Sequence, residues 1–176
     1  MIFTLERVIK LESYPDNLQW RAIATKLGSL AVAYSNEGVY ALELPGYHKV
    51  TSRIQAEDPQ WLWQLAGDLQ AYFLGRKVSF TCPIADTGYS PFFRRALWAA
   101  AKIPYGECRS YSWVAAQANS PLAVRAVGQA MSRNRTPLLI PCHRVISKDG
   151  SLGGFGYGLS WKQKLLQLEH TAREDL

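Results

Sequence analysis

Three places in the chain carry the same helix-start signal, in which a short polar residue is followed directly by proline. The pairs are Asp58-Pro59, Ser90-Pro91 and Ser120-Pro121. The polar side chain can cap a helix, and proline suits the first helical position because the N–H that it lacks would have no partner there. The signals predict three helices, which we expect to end at Gly75, about Lys102 and about Met131.

The first 85 residues are predicted to form a small α/β support domain. Two β-like runs, 30–34 and 39–44, flank the turn-forming sequence 35–38, and this pattern predicts an antiparallel hairpin. Residues 3–11 and 77–80 are weaker strand candidates. The apolar residues at helical spacing in the first helix, which should be buried, are Leu62, Leu65, Leu69 and Phe73. Trp61 and Trp63 are interpreted as core or interlobe packing, and nothing in this domain indicates chemistry.

Residues 86–176 are predicted to form a second, mainly helical domain, after a linker over 81–90. Ser110 can cap a helix over 111–117, and residues 118–120 form a turn before the helix that starts at Ser120-Pro121. Two short helices about a tight turn match a helix-turn-helix, although helix pairs that bind no DNA are common. The second helix is built mostly of small residues, from which Arg125 protrudes. Such a helix can approach another surface closely, whereas most helix arginines are merely solvated.

Composition narrows the classes of protein to which the chain can belong. The net charge of +6 is compatible with a polyanionic partner, although many basic proteins bind none. The three cysteines are scattered and form no Cys-x-x-Cys pair, so neither a disulfide framework nor a zinc site is predicted. The sequence contains no signal-peptide pattern and no run of about 18 apolar residues, so we expect a cytoplasmic protein without a membrane segment.

Cys142 is the strongest candidate for chemistry in the chain. It follows Pro141, which removes a backbone donor and so excludes a helix interior or a central strand. The apolar run 138–140 should hold the thiol at a fixed position. His143 and Arg144 are basic neighbours that favour the thiolate, which is the reactive form of cysteine. The alternative is a small, buried and inert cysteine, which is the commoner case.

The residues around Cys142 belong to a longer ordered pattern that covers about residues 86–170. Its members are Ile103-Pro104-Tyr105-Gly106-Glu107, Ser110-Tyr111, Arg125-Ala126-Val127-Gly128, Ala130-Met131, Asn134, Ile140-Pro141-Cys142-His143-Arg144-Val145, Gly153, Gly158-Leu159, Lys162, Leu165-Leu166 and Glu169. In order and spacing the pattern resembles the O6-alkylguanine-DNA alkyltransferases, which are methylated-DNA–protein-cysteine methyltransferases.

The resemblance implies an α+β fold, with an N-terminal α/β lobe of antiparallel strands and a winged helix-turn-helix-like C-terminal domain. It implies DNA repair by irreversible transfer of an alkyl group, typically methyl, from the O6 atom of guanine to the protein's own cysteine. The expected partner is double-stranded DNA, bound through its minor groove with the damaged base rotated out. A monomer is expected, with cooperative binding on DNA and O4-alkylthymine as a further substrate both left open. No cofactor and no metal ion are implied.

The resemblance also assigns catalytic roles to four residues. Cys142 would be the nucleophile, and His143 would accept its proton through a water molecule. Glu169 would orient the histidine, as the third member of a triad does. Asn134 would fix the active-site turn and the thiol by hydrogen bonds. For Glu169 the alternative is a solvated carboxylate on a last helix that we predict over 160–169, before a disordered tail over 171–176.

Two further groups would bind the substrate and the DNA. Arg125 would fill the gap that the extruded base leaves, and Tyr111 would contact that base. The other implied substrate-binding residues are Ser110, Pro137, Val145, Phe155 and Gly156, and the implied DNA-contacting residues are Ala126, Gly128, Ala130 and Met131. Residues 153–158 would form a flexible wall of the alkyl pocket. The family often has tyrosine where this chain has Phe155, so contacts through that hydroxyl are lost.

Three other functions compete with this interpretation. A non-catalytic lesion binder related to the same family would lack the cysteine, which is present here. A hydrolase with a Cys-His-Glu triad would turn over repeatedly and would leave Arg125 and its small-residue helix unexplained. A helix-turn-helix regulator would leave the Pro141-Cys142-His143 sequence unexplained.

Overall fold

The computed structural model describes residues 14–174, with side chains as far as Glu169. Its N-terminal lobe contains an antiparallel sheet of β1 (Gln19–Thr25), β2 (Gly28–Ser35) and β3 (Gly38–Glu43), in that order. The predicted hairpin is confirmed as β2 and β3. The strand β1 was not predicted from the sequence. The strand predicted over 3–11 lies outside the described residues.

A long helix, α1 (Gln60–Phe73), packs on this sheet and buries the four apolar residues predicted from its spacing. Its first residues differ from the prediction, because Pro59 is the N-cap and no side chain caps the helix. Asp58 is instead buried and accepts hydrogen bonds from Arg21 and Tyr34. Trp61 packs against the core as expected, whereas the packing role predicted for Trp63 is wrong, since 50% of its surface is exposed.

The free edge of β3 receives the segments that join the two lobes. Two hydrogen bonds join Val39 of β3 to the linker. The Val39 N–H donates to the Pro83 carbonyl and the Ala85 N–H donates to the Val39 carbonyl, each over 2.9 Å. Further along the same edge, Leu42 N–H donates to the Arg135 carbonyl over 2.8 Å. These segments occupy the edge of β3. The strand predicted over 77–80 is wrong, because those residues have no regular structure.

The C-terminal lobe contains four helices among the described residues: α2 (Pro91–Ala101), α3 (Tyr111–Gln117), α4 (Val124–Ser132) and α5 (Leu159–Glu174). Two-residue strands, β4 (Arg109–Ser110) and β5 (Val145–Ile146), pair in parallel. Ser90 and Ser110 cap α2 and α3 as predicted, by accepting hydrogen bonds from the Phe93 and Trp113 backbone N–H groups.

Two predicted helix ends are wrong. The Ser120-Pro121 pair does not start α4, because residues 121–122 form a turn and Ala123 is the N-cap. At the other end of the lobe, α5 continues to Glu174, so residues 171–174 are helical where we predicted a disordered tail. The turn predicted over 147–150 is present, with Gly150 N–H donating to the Ser147 carbonyl.

Each lobe has its own apolar core, and the chain crosses from one to the other just before Cys142. Leu138 and Leu139 pack in the N-terminal core, whereas Ile140 and Cys142 pack in the C-terminal core. The predicted buried run is therefore present, and it holds the thiol where the lobes meet. No helix in the described part of the chain is long and apolar enough to cross a membrane.

Candidate active site

Cys142 opens a single 3-10 turn, Cys142–Arg144, and only 5% of its surface is exposed. Pro141 precedes this turn as its N-cap. The buried Asn134 holds both sides of the turn, because its Nδ2 group donates to the Ile140 carbonyl over 2.8 Å and to the Cys142 Sγ over 3.1 Å. Its Oδ1 atom accepts from the Thr136 backbone N–H. Thus one side-chain amide fixes the backbone and contributes a hydrogen bond to the sulfur.

His143 lies beside the thiol in sequence and is fully buried. Its Nε2 atom lies 2.8 Å from Oε1 of Glu169, which points inward from α5. An ionised carboxylate can only accept, so Nε2 carries the hydrogen and Nδ1 keeps a free lone pair. Nδ1 makes no hydrogen bond with the described residues. Burial lowers the pKa of His143 and outweighs the opposing effect of Glu169, so the ring is a neutral base at pH 7.

Glu169 is the centre of a buried hydrogen-bond network. Besides His143, it accepts from Arg144 Nε over 3.0 Å, from the Tyr72 hydroxyl over 2.7 Å and from the Gly106 N–H over 3.1 Å. Burial alone would raise the pKa of this carboxyl, but the bonds from His143 and Arg144 hold it well below its usual range. Glu169 therefore stays ionised, and the alternative of a solvated carboxylate is excluded.

Lys162 is a site residue whose role the sequence analysis did not identify. It is fully buried, and its Nζ donates to the carbonyls of Val145, Leu152 and Gly154. Burial lowers the pKa of Lys162 to about 8, so the ammonium form still dominates at pH 7, and its charge interacts favourably with Cys142. The available signal was its position on α5, because a lysine three residues before Leu165 and seven before Glu169 shares their inward face.

Tyr111 stands at the start of α3 and packs against the loop over 153–158. A Cβ placed on Gly153 would lie 2.7 Å from the Tyr111 Oη, and Gly153 has a φ of +65°, so only glycine fits there. Burial raises the pKa of Tyr111, which keeps its hydroxyl protonated. Phe155 is half-buried in the same loop and packs against both cores. Gly156 is exposed and Pro137 is buried beside Leu138.

Two backbone carbonyls close to the thiol in sequence accept hydrogen bonds within the chain. The Cys142 carbonyl accepts from the Val145 N–H, and the Val145 carbonyl accepts from Lys162 Nζ over 2.6 Å. A carbonyl oxygen has two lone pairs, so each retains one for a ligand. The Ser110 hydroxyl caps α3 and lies 2.8 Å from the Ser112 hydroxyl, so it fixes the first turn of the helix, where Tyr111 stands.

The small-residue helix α4 has one face in the core and one exposed to solvent. Arg125 is exposed, and Ala126 and Gly128 are partly exposed. Ala130 is fully buried and Met131 only 7% exposed, because both pack in the C-terminal core. The side chains of Ala130 and Met131 therefore pack the helix against the core, and the DNA contact predicted for these two residues stays a prediction that only their backbone could fulfil. Just before α4, Leu122 is 98% exposed, which the sequence pattern did not indicate.

Cys82, Cys108 and Cys142 are all in the thiol form, and none of the three forms a disulfide within the described residues. Burial raises the pKa of Cys82 to about 11, so this thiol is unreactive at neutral pH. Within residues 14–169, no group of three or more histidine, cysteine, aspartate or glutamate side chains is arranged to hold a metal ion.

Comparisons with known proteins agree with this geometry. Two family models match: 6-O-methylguanine DNA methyltransferase, ribonuclease-like domain, over residues 18–85, and its DNA binding domain, over residues 91–171. The constitutive methylated-DNA–protein-cysteine methyltransferase of Bacillus subtilis is 36% identical, covering 86% of this chain and 94% of that protein. The methylated-DNA–protein-cysteine methyltransferase of Methanosarcina barkeri is 37% identical, covering 85% of this chain and 95% of that protein.

Solved structures give the same result. The crystal structure of Mycobacterium tuberculosis OGT in complex with DNA superimposes with a TM-score of 0.75 at 34% identity, covering 87% of this chain and 93% of that one. The α+β architecture predicted from the sequence is confirmed. Relatives above 30% identity extend over most of both chains, and the family models match both lobes. The chain therefore belongs to the methylated-DNA–protein-cysteine methyltransferase family.

Proposed function

We propose that this protein repairs DNA by transferring an alkyl group from the O6 atom of guanine to the sulfur of Cys142. The observation that carries the proposal is the connected set Asn134, Cys142, His143 and Glu169. In it a buried thiol is hydrogen-bonded to an amide and lies next to a neutral imidazole with a free Nδ1. The names of the relatives support the same reaction.

The geometry supports a single displacement step. His143 Nδ1 takes the thiol proton through a water molecule, while Glu169 holds the opposite side of the ring and stabilises the imidazolium that forms. The thiolate then attacks the alkyl carbon, a C–S bond forms and the C–O6 bond breaks, with the electron pair leaving on guanine. Lys162 supplies a positive charge that favours the thiolate before attack.

Guanine must gain a proton as it leaves, and we propose that Tyr111 supplies it. Its hydroxyl is protonated because burial raises its pKa, and its ring packs on Gly153 at the wall of the pocket. The imidazolium formed on His143 returns its proton to the Tyr111 phenolate, so the proton that the thiol lost is the one that guanine gains overall. The product on Cys142 is a thioether, which has no acidic S–H, so each molecule reacts once.

The target atom lies in a base pair, so the nucleotide has to rotate out of the duplex before the buried thiol can reach it. We infer that α4 enters the minor groove and that Arg125 occupies the gap in the base stack. Two observations support this orientation. Arg125 is exposed, and a Cβ on Gly128 would have no neighbour within 4 Å in the protein. A glycine inside a helix costs about 1 kcal/mol relative to alanine, so its presence here fits a need for close approach from outside.

Intact mass measured after incubation with a duplex containing one O6-methylguanine tests the proposed reaction. We expect one added methyl group on Cys142, no more than one product per protein at any excess of duplex, and no adduct on Cys142→Ser. Binding of the duplex without an adduct would favour the lesion binder. Repeated turnover of a small ester without an adduct would favour the hydrolase.

Two finer points belong to the same proposal. We propose that one molecule suffices for the reaction, and sedimentation of the protein on short duplexes of increasing length tests whether further copies bind cooperatively. The range of substrates, including O4-alkylthymine, is tested by competition between lesion duplexes. A cytoplasmic location and a domain boundary near residue 85 remain predictions.

A further inference from the structure

The N-terminal lobe touches the active-site region through the free edge of β3, and Leu42 lies at the centre of this contact. Its N–H donates to the Arg135 carbonyl over 2.8 Å, and its carbonyl oxygen lies 3.0 Å from the Tyr157 hydroxyl. Arg135 follows Asn134, which holds the Cys142 sulfur, whereas Tyr157 belongs to the loop that carries Phe155. One strand residue therefore contacts both the segment that leads to Cys142 and the loop that carries Phe155.

Tyr157 makes the stronger of these links through the neighbouring strand residue, Glu43. Its hydroxyl lies 2.7 Å from Oε2 of Glu43, which is only 4% exposed, and Tyr157 itself is only 2% exposed. Tyr47 adds a second link, because its hydroxyl donates to the Tyr157 carbonyl over 2.7 Å. A hydrogen bond to a buried carboxylate is among the stronger ones in proteins, so this end of the loop is held firmly.

The other end of the loop is held by the C-terminal lobe. Lys162 Nζ donates to the carbonyls of Leu152 and Gly154. Phe155 lies between the two attachments, and its ring is 5.8 Å from that of Tyr157. Residues 151–155 have no strand or helix hydrogen bonding of their own. The position of Phe155 therefore depends on these two attachments together with its packing against both cores and the hydrogen bond that its carbonyl accepts from the Gly158 N–H.

We infer that Glu43 and Tyr157 are positioning residues that set the width of the alkyl pocket, which gives the N-terminal lobe a role in the reaction. They do not touch the reacting atoms. They hold one end of the loop that carries Phe155, whose ring packs against the same core as Cys142, and so favour a small alkyl group over a large one. This inference rests on the proposed alkyl transfer, and it adds a function for a lobe that carries none of the reacting groups.

The test compares Tyr157→Phe with Tyr34→Phe. The first change removes the hydroxyl that reaches Glu43. The second removes a buried hydroxyl of the N-terminal lobe that bonds to Asp58, away from the loop. We measure single-turnover rate constants for duplexes carrying O6-methylguanine or O6-benzylguanine, each per folded molecule. In parallel, amide hydrogen exchange reports the opening of residues 153–158.

We expect Tyr157→Phe to slow methyl transfer roughly tenfold, to slow benzyl transfer much less, and to speed exchange in the loop. Tyr34→Phe should leave the methyl-to-benzyl ratio and the loop exchange unchanged. Glu43→Gln, which keeps an oxygen acceptor, should fall between wild type and Tyr157→Phe. An unchanged ratio together with unchanged loop exchange in Tyr157→Phe would overturn the inference, as would an equal shift in Tyr34→Phe. Failure of wild type to form any adduct would instead refute the proposed reaction, while the exchange data would still test the attachment.

Discussion

Each lobe contains a buried carboxylate that is bonded to an arginine, a tyrosine hydroxyl and a backbone N–H, yet only one of these two sites also contains a histidine. In the N-terminal lobe, Asp58 accepts from Arg21, the Tyr34 hydroxyl and the Gln55 N–H. In the C-terminal lobe, Glu169 likewise accepts from an arginine, a tyrosine hydroxyl and a backbone N–H, but it also accepts from His143. The arginine–tyrosine–amide set stabilises a buried charge, and the added histidine gives the second site the imidazole that we propose as the base.

The pKa directions agree with this comparison. Burial would raise the pKa of both carboxyls, and their hydrogen bonds lower it in both, so both stay ionised. The Asp58 network is saturated by groups that do not titrate near pH 7. The Glu169 network ends at His143 Nδ1, an atom without a partner in residues 14–169. A buried basic atom that the fold leaves unpaired indicates function more strongly than a buried ion pair does.

Removing the charge of Asp58 or of Glu169 should give the largest difference in transfer rate between the two sites. Breaking a buried pair costs about 3–5 kcal/mol, so Glu169→Gln and Asp58→Asn should both lower the free energy of unfolding substantially. Only Glu169→Gln should also slow methyl transfer per folded molecule, by about 10²-fold or more, because the base loses its orientation and its counter-charge. Urea unfolding and single-turnover kinetics at low temperature measure the two effects. Equal slowing in both variants would refute the distinction.

The two tyrosines give a milder form of the same comparison. Tyr72→Phe and Tyr34→Phe each remove one hydroxyl bonded to a buried carboxylate, which should cost about 1–3 kcal/mol of unfolding free energy. Transfer should slow roughly tenfold in Tyr72→Phe, the equivalent of one charge-assisted hydrogen bond, and stay within about twofold of wild type in Tyr34→Phe. Stability losses of similar size with the same rate in both variants would show that Tyr72 is purely structural.

The acid side of the pH dependence should come first from His143. Burial holds its folded pKa below the unfolded value of about 6.5, so protonation favours the unfolded chain. Its contribution to stability is therefore complete above pH 6.5 and falls as the pH drops below that value. The contributions of Asp58 and Glu169 should be lost only at lower pH, below about 4, because their folded pKa values are depressed.

The control for this prediction is His143→Gln. The difference in unfolding free energy between wild type and this variant should shrink between pH 6.5 and 5. His48, whose pKa burial also lowers, contributes equally to both proteins and cancels in the difference. A difference that stays constant over this range would mean that His143 is not a neutral buried base.

Two helix glycines give the smallest effect. Gly67 in α1 and Gly128 in α4 both have open space around a Cβ position. Alanine at either position should raise the free energy of unfolding by about 0.5–1 kcal/mol. Only Gly128→Ala should weaken binding to duplex DNA, by a few-fold, because only α4 is proposed to meet the groove. Fluorescence anisotropy with a labelled duplex measures this, and equal affinities for both variants would move the DNA contact away from Gly128.

The sequence was informative for several local patterns, although the helix starts predicted at Asp58-Pro59 and Ser120-Pro121 were wrong. The hairpin, the spacing of α1 and the two serine caps depend on neighbouring residues, and all are confirmed. The strand β1 was missed because its alternation is weak: Trp20 and Ala22 have the same partial exposure as Arg21 between them. The strand predicted over 77–80 did not form, and whether a short apolar run finds a strand to pair with depends on tertiary structure, which no local pattern reveals.

The reacting residues were identified by motif, and the residues that support them depend on tertiary structure. Cys142 and His143 were found from their sequence neighbours and the family pattern. Tyr72 comes from the other lobe. The role of Lys162 follows from its three carbonyl partners, which the sequence of its helix does not reveal. The attachment of Tyr157 to Glu43 spans the chain, so only the fold could show it.

The most direct test of this account is the protonation state of His143 in the folded protein. Nitrogen chemical shifts from a long-range ¹H–¹⁵N spectrum, assigned with His143→Gln, distinguish the two neutral tautomers and the imidazolium. The account predicts a neutral ring at pH 7 with the hydrogen on Nε2, toward Glu169, and a bare Nδ1. A hydrogen on Nδ1 at pH 7, in either a neutral or a charged ring, would leave no base for Cys142 and would contradict the account.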